Sequence, residues 1–106
     1  MRPFLRIEII TSMDRNQALT AVADALGAMG GWIVDHSLFS DVMAVIRFSL
    51  PGNRAGAFGQ RLVEAGFTPD PPPADHGESD AEIAGQLTLT FSQGTGDLRR
   101  SVPAFA

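Results

Sequence analysis

Apolar and polar residues alternate with a period of two in four stretches of this chain, and with a helical period in two more. Residues 4–11, FLRIEIIT, set Leu5, Ile7 and Ile9 on one side, with Phe4, Arg6, Glu8 and Ile10 on the other. That is the pattern of a strand with one buried face. Over 15–29, Leu19, Val22, Leu26 and Met29 form a helical stripe, with Ala18 and Ala25 beside them. Asp14, with Gln17 three residues later, reads as its capping box, and Gly30 and Gly31 end it. A strand over 32–40 is expected next, its alternation setting Trp32, Val34, His36 and Leu38 against Ile33, Asp35, Ser37 and Phe39. The strand over 42–50 is clearer, with Val42, Ala44, Ile46, Phe48 and Leu50 on one face and Met43, Val45, Arg47 and Ser49 on the other.

Pro51 and Gly52 break that strand, and Asn53 reads as the cap of a second helix over 54–65. Phe58, Leu62 and Ala65 lie along its inner side, while Gly56 and Gly59 each weaken it by about 1 kcal/mol relative to alanine. Residues 68–82 hold five carboxylates and four prolines, which predicts an exposed loop. A last strand over 86–92 points Leu87, Leu89 and Phe91 inward, and a polar tail occupies 93–106. The order β-α-β-β-α-β predicts one α+β domain over residues 1–106 with the ferredoxin-like layout. In that layout an antiparallel four-stranded sheet carries both helices on one face. The first and third strands, as the most apolar, are expected at its centre.

Composition narrows the classes of function. The chain of 106 residues is 44% hydrophobic and 19% charged, ordinary values for a soluble domain. No apolar run approaches the roughly 20 residues that span a bilayer, and Arg6 and Glu8 interrupt the only early apolar stretch, so neither a membrane span nor a signal peptide is expected. Cysteine is absent, which excludes disulfides and thiolate chemistry and fits a reducing cytoplasm. All eight basic residues are arginines, in keeping with a GC-rich bacterial coding sequence. With twelve carboxylates the net charge is −4, and no nucleic-acid partner is expected.

The layout resembles that of ACT modules, small ligand-sensing domains that pair with one another in metabolic enzymes and regulators. In that family the first loop carries a glycine beside an acidic residue; here it reads TSMDRNQ, with Asp14 and no glycine. The resemblance implies a non-enzymatic, dimeric sensing or interaction module. On the sheet face away from the helices, Arg6, Glu8, Ile10, Met43 and Val45 are the expected homodimer interface, with a ligand at its edge near Arg47, His36 and Asp14. An alternative is a small enzyme using His36 with Asp35 or Asp41 as acid and base, and Arg47 or Arg54 as anchor for an anionic substrate. Neither a cofactor nor a metal is expected. His76 lies among dense carboxylates, where Asp75, Glu78 and Asp80 would hold a hard cation only loosely, because they lack the regular spacing of a calcium loop.

Overall fold

A computed structural model describes residues 4–40, 42–75 and 80–92. The elements follow in the order β1 (Phe4–Thr11), α1 (Arg15–Ala28), β2 (Trp32–Ser40), β3 (Met43–Pro51), a 3-10 turn (Gly52–Arg54), α2 (Ala55–Glu64) and β4 (Glu82–Phe91). The strands form one sheet in the order β1-β4-β3-β2. Strand β4 runs parallel to β1 and antiparallel to β3, and β2 and β3 form an antiparallel hairpin.

The element order matches the sequence reading, but the ferredoxin-like antiparallel sheet does not. The sheet is mixed, its centre is β4 and β3, and β1 lies at an edge. The connection between β3 and β4 explains the difference. A helix alone carries the chain to the far end of the sheet and delivers the next strand parallel to the one it left. Here the chain makes a return leg after α2 and comes back to where β3 ended: Gly52 N–H donates to the Ala81 carbonyl at 2.9 Å, and Glu82 lies opposite Pro51. So β4 starts beside β3 and pairs with it directly, displacing β1 outward.

The return leg is more than an exposed loop, although most of its described residues are exposed as expected. Phe67 and Pro69 are buried. Asp70 bonds Glu8 main chain to main chain in both directions, at 2.8 and 2.9 Å, and so covers the outer edge of β1. Pro73 lies against α2 where a Cβ on Gly59 would come within 2.8 Å of its ring. Asp75 accepts a hydrogen bond from Gly56 N–H at 2.7 Å. The α2 glycines thus admit the returning chain, and the first turn of α2 is capped by Asp75 rather than by Asn53. The residue in the capping position is Arg54, whose side chain makes no cap bond.

One core lies between the helices and the sheet. Leu5, Ile7 and Ile9 of β1 meet Ala44, Ile46, Phe48 and Leu50 of β3 and Ile83, Leu87, Leu89 and Phe91 of β4. Ala18, Val22, Ala25 and Leu26 of α1 and Ala55, Phe58 and Leu62 of α2 close it from above, while Ala65 is exposed. The ring of Phe48 folds over Gly85 on the next strand, at a distance where any Cβ would overlap it, and packs on Phe58 with centroids 5.4 Å apart. Asp14 caps α1 as expected, accepting from the N–H groups of Asn16 and Gln17.

Candidate functional site

The ladders fix which side chains share the open face, because directly paired residues project to the same side of a sheet. Four rows run across it from β1 to β2. Their members are Phe4, Ala84, Ser49 and Trp32; then Arg6, Gln86, Arg47 and Asp35; then Glu8, Thr88, Val45 and Ser37; and last Ile10, Thr90, Met43 and Ser40. The two middle rows hold two arginines and two carboxylates, so the centre of the face is polar and charge-balanced. Apolar groups occupy the ends, with Phe4 and Trp32 at one and Ile10 and Met43 at the other. The five residues expected at an interface, Arg6, Glu8, Ile10, Met43 and Val45, all lie on this face, and Ile10 is 75% exposed.

Both arginines are engaged within the chain. Arg47 donates through Nε to Asp35 Oδ1 at 2.9 Å and through Nη2 to Oδ2, a two-pronged contact between directly opposed residues. Hydrogen bonding from Arg47 holds the Asp35 carboxyl below its usual range, and the same contact raises the guanidinium. The Arg6 guanidinium lies over the Phe4 ring, 5.6 Å from its centroid.

The ligand residues expected near one edge are not gathered there. Asp14 is spent on the first turn of α1. His36 pairs with Ile46, whose side chain is in the core, so its imidazole projects to the opposite side from Arg47 and Asp35. Asp35 is therefore both on the wrong face for His36 and already bound. Asp41 and His76 lie outside the described residues. Arg54 lines an open recess of about 560 Å³ with Asp80 and the Gly27–Gly30 turn, away from the open face. No group of three or more metal-ligating side chains occurs among the described residues.

Strand β2 departs from simple alternation. The register shifts between Ile33 and Asp35 and again between Leu38 and Ser40, so bulges occur at Val34 and Phe39. Trp32 consequently pairs with Ser49 on the open face rather than sharing a side with His36. Trp32, Val34, Leu38 and Phe39 are 47, 60, 47 and 66% exposed, four apolar side chains along one strand that are absent from the expected interface. Its sequence signal was the adjacent pair Leu38–Phe39, which a regular half-buried strand cannot bury together.

No described helix is long and apolar enough to cross a membrane. Compared with protein-family models, curated proteins and solved structures, the chain finds no match.

Proposed function

We propose that the chain is a non-enzymatic small-molecule-sensing or protein-interaction module that pairs with a second copy through its open sheet face. The observation that carries this reading is the four-row face, with balanced charge at its centre and apolar groups at its ends. A two-fold contact must be self-complementary. Arg6 and Glu8 from one copy can meet their counterparts from the other, which sets register more than affinity. Burial of Ile10, Met43 and Val45 then contributes up to about 1.5 to 3 kcal/mol for each side chain wholly covered. The sensing half of the proposal rests on the element order shared with ACT modules.

Sedimentation of Val45→Glu tests the interface. A carboxylate in the middle of that face is expected to halve the sedimenting mass, and an unchanged mass removes the face contact. Thermal-shift screening against amino acids and nucleotides tests the sensing half, where a uniform absence of stabilisation counts against it.

A further inference from the structure

We propose that the outer edge of β2 pairs antiparallel with β2 of a second copy, joining two sheets into one of eight strands. This goes beyond the face contact, uses a different surface and stands on its own observations.

The two edges of the sheet are treated differently. On β1, main-chain groups of Glu8 are bonded by Asp70. Along β2, no main-chain hydrogen bond outside the β2–β3 ladder occurs among the described residues. An edge left open in this way is a template for another strand, and edges that must stay single carry charge, proline, bulges or a cover. Strand β2 contains no proline, its two bulges leave residues 35–38 as the regular part of the edge, and no described segment covers it. Among the described residues, half of the large apolar side chains that are exposed belong to this one strand of nine residues.

The sequence of β2 fits its own reverse. With the two-fold axis at His36, Ile33 of one copy stands opposite Phe39 of the other, Val34 opposite Leu38, and Asp35 opposite Ser37. Apolar ends meet apolar ends, and the polar centre meets itself. Placing the axis at Asp35 instead sets Ile33 opposite Ser37 and Val34 opposite His36, so apolar residues face polar ones. The Asp35 charge is neutralised by Arg47 of its own chain, so it leaves no unpaired carboxylate at the contact. The bulges at Val34 and Phe39 confine the regular ladder to the middle of the strand, and the side chains at both ends add area to it. Trp32 belongs to the open face, and the exposed portion of Phe39 comes to roughly 140 Å² per copy. Val34 and Leu38 bring the total from both copies to roughly 600 Å² before main chain is counted, so the side chains alone make a small contact and the strand ladder supplies the rest.

The axis of the edge contact is normal to the sheet and that of the face contact lies in its plane. With the face axis running across the strands from β1 to β2 the two axes cross and close a tetramer, in which the two contacts separate cleanly. Val45→Glu is expected to sediment as a dimer held by the edge, and Val45→Glu with Leu38→Lys and Phe39→Lys as a monomer of unchanged circular dichroism. Because the chain has no cysteine, His36→Cys in the Val45→Glu background is expected to form a disulfide-linked dimer on mild oxidation, whereas Gln60→Cys, exposed on α2, remains unlinked. A monomeric Val45→Glu protein that also fails to cross-link when it carries His36→Cys overturns the edge contact, as does a dimer that survives both lysine substitutions. Equal masses for the parent and Val45→Glu overturn the face contact and leave the edge proposal to be decided by the cross-link.

Discussion

Asp35 and Arg47 stand directly opposite each other on β2 and β3, and the guanidinium binds both carboxylate oxygens on the open face. The pair is exposed, so its worth lies more in fixing the hairpin register than in stability. Its pH dependence has a definite sign. The folded-state carboxyl titrates below its unfolded value, so the stabilising effect is present above the ordinary carboxylate range and fades as pH falls through the lowered value. Carboxyl NMR is expected to show Asp35 titrating below its ordinary range, and Asp35→Asn to flatten the acid side of the Tm profile. An unshifted Asp35 titration contradicts the contact.

Glycines in the helices should respond to alanine in opposite directions. At Gly27 of α1 an added Cβ meets nothing within 4 Å, so Gly27→Ala should stabilise by about 0.5 to 1 kcal/mol. At Gly59 the same methyl meets the Pro73 ring at 2.8 Å, so Gly59→Ala should destabilise despite the better helix former, by about 1 to 3 kcal/mol. Urea denaturation of the two variants measures both. A stabilised Gly59→Ala protein means the return leg does not rest on α2.

Asp75 caps a helix that begins nearly twenty residues earlier, through a bond to Gly56 whose partners are 19 positions apart. Removing a capping carboxylate costs about 0.5 to 2 kcal/mol. Asp75→Ala should lower the urea midpoint by that amount and speed amide exchange at Gly56, with little change elsewhere in the sheet. Unchanged exchange at Gly56 shows that the bond is not made in solution.

His36→Ala is expected to leave the fold and any activity of the parent intact, because the imidazole is exposed and separated from Asp35 by the sheet. Thermal melting and activity assays on the variant provide the check. Loss of a catalytic activity with unchanged Tm restores the enzyme reading.

Much of this architecture could be read from residue order. Strict alternation in FLRIEIIT and MAVIRFSL placed β1 and β3 and their buried faces, because period-two burial is imposed locally by the strand itself. The Asp14 cap was legible for the same local reason. The sheet order was not. Ranking strands by apolar content favoured β1 as central, yet Phe4 and Ile10 are apolar residues on its exposed side. What decides the order is the path of the return leg, where Pro73 meets Gly59 and Asp75 meets Gly56, contacts between residues distant in sequence. The glycines looked like helix defects because their partners were not adjacent. The face of Trp32 was likewise misassigned because one bulge at Val34 inverts every side chain beyond it.

The position of β4 at the centre of the sheet also governs when the protein can fold. Phe4 pairs with Ala84 and Thr11 with Phe91, contacts about 80 residues apart, and β1 has no other strand beside it. Such distant pairings slow folding, since two segments far apart in sequence must meet before the contacts stabilise anything. During synthesis the β2–β3 hairpin emerges complete, while Leu5, Ile7 and Ile9 wait without a sheet partner until residues 82–91 leave the ribosome. Until β4 has emerged the nascent chain therefore presents an apolar strand with no strand partner, and the order of its elements sets the length of that exposure.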